Sequence, residues 1–231
     1  MIKKIFPSLK YISYLIWVPL ILTISFEIIT FSDWIYEFNW ERNNISYKTN
    51  LNKDQLNSAS DQIKDYFKND QEKIKISVVQ SGRTILNLFN QREIDHMIDV
   101  KNLVKATLLF EKISLFFIFF AIVIISYKNG FKQLFSFLFN IVYKSLLIWS
   151  SIFIIILFGI IINFNATFIL FHKIFFRNDL WILDPRSDYL LIMFPERFFL
   201  EVCLAILLVF VIINFLFFIT SLFLDRRLNP R

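Results

Sequence analysis

Apolar residues along this chain gather into four long runs, at positions 11–31, 108–127, 145–164 and 198–223, with most of the charged residues between them. Each run approaches the ~20 residues that a helix rising ~1.5 Å per residue needs to cross a ~30 Å hydrocarbon core. The pattern predicts four transmembrane helices. Between the first two runs the period changes. Leu56, Ile63 and Phe67 recur at helical spacing among Lys, Asp and Gln, which predicts an amphipathic helix over 52–69. Ile74, Ile76 and Val78 then alternate with Lys75 and Ser77, Ser81-Gly82 offers a turn, and 84–89 is a second β-prone run, so a hairpin is expected. Asn90 followed by Glu93 has the spacing of a capping box, and nothing between there and the second apolar run breaks a helix. One continuous helix is expected from Gln91 into the bilayer, holding His96 a few turns above it.

The segment between the third and fourth runs is too apolar for an ordinary loop. Phe168, Phe171, Phe175 and Phe176 surround His172 at helical spacing, and Trp181 suits the headgroup level. This piece is expected to lie on or dip into the outer leaflet. Asn178-Asp179, Asp184-Pro185 and Ser187-Asp188 are turn or cap signals, and Pro195 suits the first turn of the fourth helix.

Composition turns the pattern into a class. Of 231 residues 56% are hydrophobic and 30 are Phe, too apolar a balance for a soluble surface. The fold class expected is an α-helical integral membrane protein with four spans, a small α/β extracytoplasmic domain and an outer-leaflet interfacial segment. The first run follows Lys3, Lys4 and Lys10, yet it carries Glu27 and ends in Phe31, Ser32, Asp33 and Trp34 without a small-residue cleavage pattern, so it reads as a retained anchor. Lys and Arg in short loops set orientation. Lys3, Lys4, Lys10, Lys128, Lys132, Lys144, Arg226, Arg227 and Arg231 are opposed only by Asp225, whereas the two other connecting segments hold equal numbers of basic and acidic residues. The expected topology places 1–10, 128–144 and 224–231 in the cytoplasm and 32–107 and 165–197 outside.

Ionisable groups within hydrocarbon cost roughly 2.5–3.5 kcal/mol on insertion scales, so each is a functional candidate. Glu27, Glu111, Lys112 and Glu201 all fall toward the outer ends of their runs, and His96 and His172 lie just above that level, so one outer-leaflet site could gather them. Each also has a bland reading, as an interfacial snorkelling charge or a hydrogen-bonded structural histidine. A single cysteine, Cys203, flanked by Val202 and Leu204, excludes a disulfide framework and reads as packing. No serine elbow or glycine-rich phosphate loop occurs. Asp95 and Asp99 beside His96, with His172 and Asp179 or Asp184, fit no standard metal-ligand spacing. Two imidazoles suit proton transfer near neutral pH, and neither a metal nor another cofactor is implied.

His96-Met97-Ile98-Asp99-Val100-Lys101 leads into one span, and Phe171-His172-Lys173-Ile174-Phe175-Phe176-Arg177-Asn178-Asp179-Leu180-Trp181 follows far downstream. Asp184-Pro185, Asp188 and Phe194-Pro195-Glu196-Arg197-Phe198-Phe199 continue the second block. Together they resemble the bacterial four-span family of lipoprotein intramolecular transacylases, in topology over the whole chain and in specific residues over about 94–101 and 171–199. The resemblance implies a multi-pass protein of the bacterial cell membrane that moves the sn-2 acyl chain of a diacylglyceryl-cysteine lipoprotein onto its α-amino group. Its partners would be the lipoprotein N-terminus and membrane lipid, not nucleic acid. It implies that His96 and His172 are the functional histidines, one taking the amine's proton and the other donating to the oxyanion or the departing oxygen. Asp99, Asn178, Asp179, Trp181, Asp184 and Glu196 would support the pocket or bind substrate. Lys101, Arg177 and backbone amides at the turn after Asn178 are candidate oxyanion donors.

Two readings predict different geometry. An acyltransferase needs both imidazoles together at the mouth of a cavity that admits lipid. A non-catalytic sensor or scaffold would hold them buried and apart.

Overall fold

The computed structural model describes residues 2–80, 83–85 and 87–229; the expected turn at Ser81-Gly82 and the terminal Arg231 lie outside the described residues. The elements run α1 (Ile2–Thr30), α2 (Asp33–Arg42), α3 (Ile45–Thr49), α4 (Lys53–Lys68), β1 (Val78–Gln80), β2 (Arg83–Ile85), α5 (Gln91–Ile162), α6 (Phe164–Phe175), α7 (Tyr189–Met193) and α8 (Glu196–Leu228). Among the described residues three helices are long and apolar enough to cross a membrane: Pro7–Thr30, Gln91–Ile162 and Glu196–Leu228. The second of these, 72 residues long, is interrupted at Gly130, whose φ of 77° and ψ of 167° belong to no helix. The connection expected between the second and third apolar runs is therefore itself helical on both sides of one glycine.

The chain divides into two compact units. The first contains Met1–Glu27, Leu108–Phe158 and Ala205–Arg231. Its core is formed by Trp17, Leu20 and Ile21 of α1, Ala121, Ile125 and Ile141 of α5, and Phe210 of α8. Pro19 lies inside α1, and a proline removes the donor to the carbonyl four residues earlier. That carbonyl, of Leu15, instead accepts from the indole N–H of Trp149 at 3.1 Å. One turn before Trp149, the Ser145 hydroxyl accepts from the Val18 amide at 3.1 Å. Trp17 donates to Asn214 Oδ1 at 3.1 Å. Backbone groups disturbed by the proline thus keep partners where water is absent, as hydrocarbon requires.

The second unit contains Ile28–Thr107 and Gly159–Leu204. Its α4 begins at a capping box, Asn52 accepting from the Gln55 amide and Gln55 returning to the Asn52 amide, and buries Leu56, Ala59, Ile63 and Phe67 along one face. The hairpin is smaller than the alternation suggests. Val78, Val79 and Gln80 pair with Ile85, Thr84 and Arg83, while Ile74 and Ile76 are buried but lie outside the strand. The side chain of Gln62 takes the place of a second strand there, its amide donating to Ser77 O and its carbonyl accepting from Ser77 N, both at 2.9 Å. Among the described residues the unit is thus helical with one minimal hairpin, two three-residue strands where a small α/β domain was expected.

Candidate active site

The first turn of α5 sets the phase of everything after it. Asn90 Oδ1 accepts from the Glu93 amide at 3.1 Å and Glu93 Oε2 accepts from the Asn90 amide at 2.7 Å, closing the expected capping box. With that start fixed, Glu93, His96, Met97, Lys101 and Val104 fall on one buried stripe. Glu93 does more than cap. Its other oxygen, Oε1, accepts from the Leu190 amide at 2.6 Å, so this buried carboxylate ties the helix start to the first turn of α7. Burial pushes the Glu93 carboxyl up from its ordinary range, against the pull of the two amides.

His172 is the buried residue of α6, which exposes Leu170, Phe171, Ile174 and Phe175. The helix starts where Asn163 Oδ1 accepts from the Ala166 amide at 3.0 Å. His172 Nδ1 lies 2.7 Å from the Phe168 carbonyl oxygen. An oxygen acceptor there requires Nδ1 to carry the hydrogen, which leaves Nε2 with the free lone pair in the neutral ring.

The two imidazole centroids lie 6.1 Å apart with 34° between ring planes. Phe176 contacts both rings, at 5.2 Å from His96 and 5.4 Å from His172. Phe168 meets His172 edge to face at 4.3 Å, and Trp181 lies over it at 5.0 Å. Only 6% of His96 and 7% of His172 is exposed. The rings are together, as an acid–base pair requires, but beneath an aromatic cover rather than at the open mouth expected from the sequence. Burial and the neighbouring His172 push the His96 pKa down to about 4, with Asp99 opposing. Burial lowers His172 as well, opposed by its bond to the Phe168 carbonyl. Both rings are therefore neutral near pH 7. His96 Nδ1 is buried without a hydrogen-bond partner among the described residues.

The weaker candidates separate into two groups. Trp181 contacts an imidazole directly, and Asp99 Oδ2 accepts from Asn178 Nδ2 at 2.8 Å, joining α5 to the loop after α6. Asp179 contributes its backbone carbonyl, which accepts from Arg92 at 2.6 Å. Asp184 instead holds its own turn: Arg186 clamps its carboxylate from Nε and a terminal nitrogen at 3.0 and 2.8 Å and keeps it down at about 2. Glu196 accepts from Asn165 at 2.8 Å. Lys101 is also committed elsewhere, donating to Asn69 Oδ1 and the Gln71 carbonyl and lying 4.0 Å over the Tyr66 ring, so it is not an oxyanion donor here. Glu201 pairs with Arg197 at 3.1 Å and Arg42 at 3.6 Å rather than with either histidine. Among the described residues no three His, Cys, Asp or Glu side chains are arranged to ligate a metal.

Sequence reasoning missed the second role of Glu93, and Arg92 altogether. The capping spacing could reveal only half of the carboxylate's work, because its other partner lies 97 residues away.

The fold is that of a multi-pass, mostly helical membrane protein, and its most distinctive feature is a covered pair of imidazoles brought together from α5 and α6. Residues 11–199 match the family described as Lipoprotein intramolecular transacylase Lit, and the chain belongs to that family. A solved structure of the membrane integral lipoprotein intramolecular transacylase Lit from Bacillus cereus shares the fold, with a TM-score of 0.77 at 22% identity over 97% of this chain and 98% of that one. Two variants of the same Bacillus cereus protein, with a histidine replaced by arginine or by alanine, match with TM-scores of 0.73 at 21% identity. Each covers 97% of this chain and, respectively, 94% and 96% of its own. No curated protein matches the sequence.

Proposed function

We propose that this chain moves the sn-2 acyl chain of a diacylglyceryl-cysteine lipoprotein onto that cysteine's α-amino group, leaving the lyso-form lipoprotein. Membership of a transacylase family supports the reaction class. The residue assignment rests on one observation, the adjacency of two imidazoles held neutral in different hydrogen-bonding states.

His172, with Nδ1–H bound to the Phe168 carbonyl, presents Nε2 as a proton acceptor. For His96 the argument runs the other way. An orphaned buried N–H is less tolerable than an orphaned acceptor, so the unpartnered Nδ1 is the bare nitrogen and Nε2 carries the hydrogen. The pair thus offers one acceptor and one donor. The free amine attacks the ester carbonyl carbon, the N–C bond forms, and the carbonyl oxygen becomes an oxyanion that the His96 Nε2–H stabilises. His172 Nε2 takes the proton from the attacking nitrogen. As the bond from carbon to the sn-2 oxygen breaks, the resulting imidazolium delivers that proton to the departing oxygen. One proton has moved from nitrogen to oxygen, and no enzyme nucleophile is needed. Substrate reaches the rings when the cover formed by Phe176 and Trp181 shifts.

The topology we propose has four spans. A 72-residue helix would measure ~110 Å, more than three times the ~30 Å hydrocarbon thickness, so 108–127 and 145–164 are separate crossings that turn near Gly130. The basic short segments favour a topology with both termini in the cytoplasm of a bacterial cell and the histidines on the outer side of its membrane. The adjacency of the imidazoles favours catalysis over the scaffold reading, which called for them to be apart.

Mass spectrometry of the N-terminal peptide of a reporter lipoprotein, in a host without its own N-acylating enzymes, tests the reaction. The wild type should produce an N-acyl monoacylglyceryl peptide, and His96→Ala or His172→Ala should abolish it. A wild type that inserts normally and leaves only diacylglyceryl peptide would refute the activity.

A further inference from the structure

The segment that joins α6 to α7 carries Trp181 over the His172 ring, and it is fastened to α5 differently at its two ends. At its α7 end the Leu190 amide donates at 2.6 Å to the buried Glu93 carboxylate, beside a bond of 2.9 Å from Asn90 Nδ2 to Asp188 Oδ1. Next to it a turn closes on itself, Asp188 Oδ2 accepting from the Asp184 amide at 2.7 Å and the Asp188 amide donating to the Asp184 carbonyl at 2.9 Å. At its α6 end Asn178 Nδ2 donates to Asp99 Oδ2 at 2.8 Å and Arg92 donates to the Asp179 carbonyl at 2.6 Å, both bonds exposed. None of residues 177–188 is buried, in contrast to Phe176 just before them. An exposed hydrogen bond competes with water and holds weakly, whereas parting Glu93 from its amide leaves a buried carboxylate unsatisfied. The α6 end is therefore the one that opens first. Asn178 Oδ1 also accepts from the Leu180 amide at 3.1 Å, so one side chain joins the contact with Asp99 to the turn that leads into Trp181.

We propose that residues 177–182 form a lid over His172, hinged at the turn between Asp184 and Asp188 and latched by Asp99 and Arg92. These two are positioning residues, acting through the lid rather than on the substrate. Releasing the latch lifts Trp181 and uncovers His172 Nε2. Phe176, whose amide donates to the His172 carbonyl at 2.8 Å, stays anchored to α6, so Trp181 is the movable part of the cover. On the acyl-transfer reading, on which this consequence rests, the diacylglyceryl ester enters by the same movement, and reclosure expels water before the amine attacks. A purely structural role for the two exposed bonds predicts something else: their loss should loosen both imidazoles together and lower the unfolding midpoint. A latch uncovers His172 in preference to His96, whose ring lies against Phe176.

Modification by diethyl pyrocarbonate at pH 7, followed by mass spectrometry of the peptides carrying His96 and His172, tests the lid on the full chain in detergent. No lipoprotein is present, so the result is independent of the activity assay. Asp99→Ala or Arg92→Ala should each speed modification of His172 about fivefold and the double variant about thirtyfold, the factors for losing one and two bonds of ~1 kcal/mol, with a smaller change at His96. Asp99→Asn keeps an oxygen for Asn178 and should stay near the wild-type rate. Asp70→Ala, which removes an exposed 3.1 Å contact to Lys105 of α5 outside the lid, should match the wild type. Unfolding midpoints identify any misfolded variant, and Arg92→Ala, altered at an exposed side chain, then carries the comparison. With lipoprotein added, Asp99→Ala should raise the share of deacylated, non-N-acylated peptide. A wild type that transfers no acyl chain refutes the activity and leaves the labelling result standing. Unchanged His172 labelling in the double variant, or equal acceleration at both histidines with a fallen midpoint, would overturn the lid.

Discussion

The histidine pair makes a prediction that needs no substrate. His96 is 6% exposed and its pKa is pushed from 6.5 to about 4, chiefly by burial. In the unfolded chain the same ring binds its proton at about 6.5. Between these values the unfolded state holds more protons than the folded one, so stability falls as pH falls through that window and levels off below about 4. At ~1.4 kcal/mol per unit the full effect is about 3 kcal/mol, and about 2 kcal/mol of it is lost by pH 5. His172, lowered in the same direction, adds to the slope. The chain contains two histidines, so ¹⁵N-histidine spectra of the wild type, His96→Gln and His172→Gln assign each ring by subtraction. The His96 signal should remain that of a neutral imidazole down to pH 5, with His172 titrating below 6.5. The same spectra read the tautomers, with Nδ1–H expected on His172. Thermal unfolding of the wild type should steepen below pH 6.5, and His96→Gln should remove much of that dependence. A His96 midpoint at or above 6.5, or parallel pH profiles for wild type and variant, would refute the desolvated pair and with it the reason for calling either ring neutral.

Other perturbations test the frame around the site. Glu93→Ala leaves the buried Leu190 and Asn90 amides without their acceptor and should cost about 1–3 kcal/mol for each amide that remains dry, while Glu93→Gln, which keeps one oxygen, should cost less; unfolding midpoints in detergent compare them. Gly130 has open space where a Cβ would stand, so Gly130→Ala isolates the backbone cost of a glycine-only conformation and should destabilise by about 1–3 kcal/mol in the same assay. Trp149→Phe keeps the ring but strips the donor from the Leu15 carbonyl that Pro19 has left unpaired, and about 1 kcal/mol of lost stability is expected. The same tryptophan change combined with Pro19→Ala, which restores the helical donor, should cost less than the tryptophan change alone.

What the sequence disclosed follows the range of the forces involved. The capping box at Asn90 depends on residues three apart and was legible together with the helix it starts; the box at Asn52 has the same spacing but was not read from the sequence, where only the amphipathic helix it begins was expected. The apolar face of α4 was legible because Lys, Asp and Gln mark its other side. Helix α2 was not, because it lacks that contrast: Trp34 and Phe38 are 53% and 45% exposed while Asn39 is fully buried. Asn39 tolerates burial by donating to the Met193 carbonyl, 154 residues away. Alternation at Ile74, Ile76 and Val78 correctly marked which side chains are buried, yet burial does not specify a hydrogen-bonding partner, and at Ser77 the partner is the Gln62 side chain. For the site, residue type and position singled out both histidines. Their tautomers were out of reach, since one depends on the carbonyl of Phe168 and the other on a missing partner at Nδ1. Charge count alone also overstated convergence: Glu201 belongs with Arg42 and Arg197.

The aromatic cover that lowers both pKa values weakens a general base, but the demand on the proposed reaction is modest. An α-ammonium near pKa 8 can lose its first proton to bulk water before the lipoprotein docks. The nitrogen that must then be deprotonated is the one bonded to the new tetrahedral carbon, far more acidic than the starting ammonium, and a weak imidazole base suffices for it. What the reaction cannot tolerate is water beside the ester, because water attacking the same carbon would release a fatty acid instead of transferring it. In the proposed reaction Phe168, Phe176 and Trp181 around His172, and Phe176 against His96, would exclude that competitor by closing again over the docked ester, leaving a donor and an acceptor on adjacent rings. Low basicity and selectivity for the amine are then two consequences of one packing arrangement. Trp181→Ala should reveal the coupling, by raising the His172 pKa toward 6.5 and increasing the share of deacylated, non-N-acylated peptide among the products.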